Sequence, residues 1–261
     1  MVIASSGESL DLSKLFIGFD VRQTNEKTQN HGTVSLWNIN ENTAKAVEIN
    51  ASDLELSAGY GDNLQVLTNS SIRRVETERQ GLDRITTITF GDVPVQKIGK
   101  FIVLDIAENT SIKTIIREIV RKMDLEIGSL HQVPEENWDG YFSWYDTASA
   151  ALDTVLNPFP DIQWYVQDGI VEFSKRAKVN EVRSSFETIN ITPAAGLIGS
   201  PTVLDDGVRV RSLLRPEIKV DSQVRITAEF VERTMKVVAV NHKGDNRLGE
   251  FFTDLDLREV G

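Results

Sequence analysis

The chain has 261 residues, 40% apolar and 26% charged, which is room for about two domains of ordinary size in a folded protein. It has no cysteine, so disulfides and thiolate metal sites are excluded. The net charge of −11 has the wrong sign for a surface that grips nucleic acid by displacing counterions from phosphates.

Residues 1–11 are small and polar and read as an arm or frayed start. They also lack the basic region and apolar core of a signal peptide. From 14 to about 98 short alternating segments dominate: Phe16 to Val21, Thr33 to Ile39, Leu54 to Ala58, Gln65 to Leu67, Ser71 to Thr77 and Arg84 to Phe90. Asn40 to Ala46 is spaced as one helical turn, capped by Asn40 or Asn42. Gly59-Tyr60-Gly61-Asp62-Asn63 is a turn cluster. This spacing predicts a closed or nearly closed antiparallel barrel.

The middle of the chain changes period. Asn109-Thr110-Ser111 supplies N-cap chemistry, and Ile112, Ile115, Ile116, Ile119, Val120 and Met123 then recur at helical spacing. A second helix is predicted after Asp146-Thr147, with Asp146 as its cap. Ala148, Ala151, Leu152, Val155 and Leu156 lie on one face, and the helix stops at Asn157-Pro158. Ile162 to Val166 and Ile170 to Phe173 are joined through Asp168-Gly169, a strong hairpin signal. No apolar run approaches the ~20 residues that span a bilayer.

The last seventy residues are strand-rich again, with unusual connections. Gly196-Leu197-Ile198-Gly199-Ser200-Pro201 sets two aliphatics between flexible glycines, and Leu213-Leu214-Arg215-Pro216 sets two more before a proline. Apolar loops left in water invite aggregation. Leu197, Ile198, Pro201, Leu213, Leu214 and Pro216 are therefore candidate anchors of a protein interface. The competing reading is that they close the end of a barrel within one chain. Asn241-His242-Lys243-Gly244-Asp245 reads as a turn in the last hairpin.

Candidates for chemistry are weak. Glu135, Glu136 and Asp139 stand beside Trp138, Tyr141, Trp144 and Tyr145, as a glycosidase or a sugar-binding module requires. The same aromatics also serve to anchor a helix to a sheet, and that reading is preferred. His31, His131 and His242 show no metal-ligand spacing. Asp205-Asp206-Gly207 lacks the alternating oxygen ligands of a calcium loop. No catalytic, cofactor or metal site is predicted, and the chain is not expected to be an enzyme.

The order of these segments resembles the baseplate hub proteins of contractile-tailed phages. The resemblance rests on Ala195-Gly196-Leu197-Ile198-Gly199-Ser200-Pro201, then Gly207-Val208, Leu213-Leu214-Arg215-Pro216, Val224-Arg225-Ile226 and Val240-Asn241-His242-Lys243-Gly244-Asp245. Leu54 to Tyr60, running into an Ala-Gly-Tyr turn, agrees with it. What it implies is an α+β, mainly β chain with two antiparallel, tail-tube-like β-barrel domains, 12–98 and 188–261. A small α+β region, 99–187, lies between them, and 1–11 is an N-terminal arm. It further implies a homotrimer ring whose six barrels match a six-fold tube. Its partners would be the tail tube protein, the central spike protein and other baseplate subunits, with DNA only in transit, no membrane and no cofactor. The place implied is the virion tail, after synthesis in the host cytoplasm. The alternatives are the hub of a secretion-system or tailocin spike, or a peptidoglycan-binding or -degrading tail protein.

Overall fold

The computed structural model describes residues 2–5, 8–26, 30–93, 95–176, 188–228, 231–247, 249 and 251–259. The first region holds β1 (Val2–Ser5), β2 (Glu8–Asp11), β3 (Phe16–Thr24), β4 (His31–Trp37), α1 (Glu41–Asn50), β5 (Ala51–Tyr60), β6 (Asn63–Gln80) and β7 (Asp83–Gly91). The middle holds α2 (Val95–Ile98), β8 (Phe101–Ile106), α3 (Ile112–Met123), β9 (Glu126–Ile127), β10 (Phe142–Thr147), α4 (Ala148–Leu156), β11 (Ile162–Gln167) and β12 (Ile170–Lys175). The last region holds β13 (Ile189–Ile191), a 3-10 turn (Pro193–Ala195), β14 (Leu197–Leu204), β15 (Gly207–Leu213), β16 (Gln223–Ala228), β17 (Val231–Asp245) and β18 (Phe251–Glu259).

The first and last regions are built alike. Strand order is β3-β4-β7-β6-β5 in one and β14-β15-β18-β17-β16 in the other. Numbered within each unit by sequence, both read first, second, fifth, fourth, third. The fourth strand is the long one in each, 18 residues in β6 and 15 in β17. Its first half pairs with the third strand, up to Asp53↔Ser71 in one unit and Gln223↔Lys236 in the other. Just beyond, each carries a bulge against the fifth strand, at Arg73 between Ile72 and Arg74 and at Val238 between Val237 and Ala239. A bulge adds one unpaired residue and sharpens the local twist. Counting outward from the two bulges puts the units in register.

The units merge into one 13-stranded sheet. Past its bulge, β17 pairs antiparallel with β3, from Ala239↔Thr24 to Asp245↔Gly18. The described pairings run openly from β14 to β2 and include no closed barrel. The opening residues, expected as an arm, form the β1–β2 hairpin, and β1 pairs with β5.

Alternation explains the packing. Phe19, Val21, Val34, Leu36, Ile88 and Phe90 point one way into the first core, while Val208, Val210, Val237, Val240, Leu255 and Leu257 fill the last. The middle region has its own core, formed by α3 and α4 over β8–β10 and β11–β12. Ser111 caps α3 as predicted, accepting from Thr114 N, and the buried stripe is the predicted one. Thr147, not Asp146, caps α4 through its side chain. Asp168 and Gly169 both take positive φ, 51° and 83°, as a tight two-residue hairpin of the expected hand requires.

Two local readings are corrected. The segments Gln65 to Leu67 and Ser71 to Thr77 are one bent strand, because the bulge lets the chain turn without breaking the ladder. Asn241 to Asp245 is no turn. It is the end of β17, held between β18 and β3.

Candidate functional site

The joined sheet has one face on the cores and one on solvent. Its solvated rows cross both units through the β17–β3 junction. One row runs Arg211, Asp254, Asn241, Arg22, His31. The next runs Phe252, Lys243, Asp20, Thr33, Thr89, Arg74. Charges in these rows alternate in sign. Arg209 grips Asp256 with two hydrogen bonds, 2.6 and 2.9 Å, and Arg211 grips Asp254 at 2.7 and 2.9 Å. Paired guanidinium and carboxylate forks leave little net field. The acidic excess lies elsewhere: residues 99–176 hold thirteen acidic against seven basic residues.

The β11–β12 hairpin wedges polar groups into the seam between the units. Tyr165 donates its hydroxyl to Asp221 Oδ2 at 2.8 Å, and Lys236 Nζ lies 2.7 Å from Asp221 Oδ1. Lys236 and Asp221 are 2% and 0% exposed. Lys236 also donates to the Lys175 carbonyl, and Asn25 of the first unit reaches Asp221 at 3.5 Å. A few residues away, Asn30 Nδ2 donates to both Asp92 Oδ2 and the Val166 carbonyl. Asp92 also accepts from Ser70 and from the Asp168 backbone N–H. Burial pushes the Asp92 carboxyl up to about 6; the Asn30 hydrogen bond opposes this and the Asp168 charge adds to it. Charged groups this deep are satisfied by partners or lost to the fold, so three parts of the chain are locked at one seam.

His242 lies in that seam, opposite Val21 on one side and Thr253 on the other, with Nδ1 2.9 Å from Thr253 Oγ1. Desolvation pushes its pKa down to about 3, with the Lys219 charge adding to the effect, so the ring is neutral. No signal in the sequence marked Asp92, Asp221, Lys236 or His242 as buried, since Asp and Lys are ordinarily surface residues and His is intermediate.

The predicted interface residues separate into three groups. Leu214 sits in the first unit's core and Pro216 is buried, so both are used within the chain. Leu197 is half-buried against the last core and Pro201 is partly covered. Ile198 (41% exposed) and Leu213 (47%) stay in solvent. Structure adds Val203 at 75% and Leu82 at 95% exposed, which the sequence reading missed.

The aromatic side chains beside the carboxylates pack on one another, Trp138 edge-on to Phe142 at 5.3 Å and Phe142 stacked with Trp144 at 6.0 Å, rather than lining an open acid site. Phe142 is buried, and Trp138 and Trp144 pack on the middle core. Glu135 pairs with Lys113, which holds its carboxyl below the usual range, the wrong direction for a general acid. Among the described residues no group of three side chains is placed to hold a metal ion, and no helix is long and apolar enough to cross a membrane.

A family model described as baseplate hub gp41 matches residues 21–237. Among solved structures, a tail protein from Neisseria meningitidis MC58 superposes with a TM-score of 0.67 at 7% identity, covering 99% of this chain and 95% of that one. The 43 kDa tail protein of prophage MuSo2 from Shewanella oneidensis gives 0.69 at 5% identity, covering 99% and 97%. An E. coli type VI secretion component, described as structurally similar to the T4 tail proteins gp27 and gp5, gives 0.59 at 8% identity, covering 94% and 74%. At these identities the likeness is one of fold. No curated protein matches by sequence.

Proposed function

Because the chain belongs to the baseplate hub gp41 family, we propose that it is the structural hub subunit of a phage tail: a homotrimer ring that caps the tail tube protein, seats the central spike protein and contacts other baseplate subunits. The observation that carries this reading is the repeat, two units of one strand order and one bulge position joined head to tail. In this reading each unit, 12–98 and 188–261, plays the part of a tube-like β-barrel, and 99–187 hangs between them. Three chains then present six units to a six-fold tube while keeping a three-fold face for the spike.

The solvated face lines the channel in this reading. Its threonines and its matched charges give DNA in transit no basic strip to hold. The work is mechanical, no bond is made or broken, and no cofactor takes part. The place is the virion tail. The likeness to a secretion component favours one further reading, the hub of a secretion or tailocin spike with the same geometry.

Light scattering on the purified chain tests the proposal. A trimer has three times the 29.2 kDa of one chain. A single-chain mass, both alone and mixed with the tail tube protein, would overturn it. Binding to the tube protein of a phage, but not to that of a secretion system, separates the two readings.

A further inference from the structure

The middle region carries a cleft that takes no part in the joined sheet. It has a volume of about 560 Å³ and lies between residues 131–135 and the turn 158–162, with Lys113 of α3 and Lys175 of β12 completing its lining. Sites that hold small ligands run from about 300 to 1,000 Å³. The walls are built to stay open. Pro134, Pro158 and Pro160 fix φ on both sides. Each wall is also closed on itself by a backbone hydrogen bond, Val133 N to the Leu130 carbonyl and Ile162 N to the Phe159 carbonyl. Val133 and Phe159 rest on the middle core, so the lining is apolar where it meets that core. A site already in its bound shape loses less ordering entropy when a ligand enters.

Polar groups of the cleft lack partners. Gln132 is 8% exposed, and among the described residues its buried Nε2 meets no acceptor. A buried donor left unmet costs free energy that a ligand's carbonyl would recover. Because Nε2 has no bond to lose, half a turn of the amide can present it to the cleft. Lys175 and Asp161 line the same cleft. They are neighbours on the β11–β12 hairpin, where Lys175 pairs with Ile162, yet neither forms an ion pair among the described residues. Lys113, by contrast, is held by Glu135. Two lysines and two carboxylates balance in the lining, which suits an uncharged backbone better than a nucleotide or an acidic glycan. A peptide unit has one N–H and one C=O. The cleft offers an amide and an ammonium to the carbonyl, a carboxylate to the N–H, and apolar walls to the side chains.

We infer that this cleft binds a short extended segment of another polypeptide. Gln132 Nε2 and Lys175 Nζ donate to its carbonyls, and Asp161 accepts from its N–H groups. Apolar side chains of the segment rest on Val133, Phe159 and Pro160. The Lys175 carbonyl accepts from Lys236 Nζ in the seam, so the cleft is anchored to the joined sheet. The site belongs to a single chain and does not rest on the ring.

A displayed library of random nine-residue peptides, selected on the full-length chain, supplies the probe. Enriched peptides should carry apolar residues at alternate positions. They should bind the parent at least tenfold more tightly than they bind Gln132→Leu or Asp161→Ala. Leucine removes the unmet donor, so Gln132→Leu should unfold at a temperature no lower than the parent's. Asp161 is exposed, so Asp161→Ala leaves the core intact and decides the matter alone if Gln132→Leu does not fold. Peptides that bind the parent and both variants equally would place the contact elsewhere and overturn the inference, as would a library that yields no binder. If triacetylchitotriose binds with the same dependence on Gln132 and peptides do not, the occupant is a glycan and the inference also falls.

Discussion

The two β units share strand order and bulge position, yet they stabilise their long strands differently. In β17, Lys236 lies two residues before the bulge and His242 four after it, and both are buried in the seam. Counting from the bulge, the matching residues of β6 are Ser71 and Thr77. One long strand is enclosed by β3 and the β11–β12 hairpin, while the other runs into solvent. Topology was therefore kept while the chemistry followed coverage: buried charge appears only where a third body closes over the strand.

The largest break in that comparison should come at Lys236. Lys236→Met leaves Asp221 buried without its cation, and removing one partner of a buried pair costs about 3–5 kcal/mol. Urea denaturation measures it. Adding Asp221→Asn should recover most of the loss, since asparagine tolerates the left-handed φ of 66° at that position. A single-variant loss below about 1 kcal/mol would show that the seam does not depend on the ion pair.

Two titrating groups, one at the end of each unit's share of the seam, should then act in opposite directions. His242 is neutral when folded, with its pKa near 3, but takes a proton below about 6.5 when unfolded. Its contribution is present near neutrality and is lost as pH falls, about 3 kcal/mol by pH 4. Asp92 has its folded value raised to about 6. Between about 4 and 6 the folded chain holds a proton that the unfolded chain releases, so this group adds stability at low pH and loses it as pH rises, about 2 kcal/mol across the window. Stability against pH should separate them. Relative to the parent, His242→Gln should gain toward acid and Asp92→Asn should lose. Parallel curves for all three proteins would mean that neither side chain titrates as its burial dictates.

Local features were legible in the sequence and the seam was not. Ser111 with its isoleucine stripe, and Asp168-Gly169 between two alternating runs, specify their own conformations within a few residues. The stretch His242 to Asp245 carries turn-forming types, but pairing on both sides makes it strand. The likeness of the two units was implied by the family resemblance and not by any sequence repeat, because the bulge residue is Arg73 in one unit and Val238 in the other, and a bulge constrains backbone rather than side chain. Among the interface candidates, Leu213 and Leu214 differ only in which side of the chain they leave. That is decided by the first unit's core, which receives Leu214. Read as a loop the pair looks equivalent, but Leu213 ends β15, whose alternation buries Val208, Val210 and Ser212 and so turns Leu213 outward and Leu214 inward.

The smallest expected effect sharpens the comparison most. On the solvated face, Arg209↔Asp256 in the second unit stands where Thr33↔Thr89 stands in the first. The Arg209 fork has good geometry, but its side chain is more than half exposed, and water screens such pairs to about 0–1 kcal/mol. Threonine is favoured in strands, and cross-strand threonine pairs contribute a few tenths of a kcal/mol. Arg209→Thr with Asp256→Thr should therefore change stability by less than about 1 kcal/mol, transplanting the first unit's pair into the second. A loss well above that would mean the two faces are not equivalent surfaces. The register drawn from the bulges would then align strands that share order but not environment.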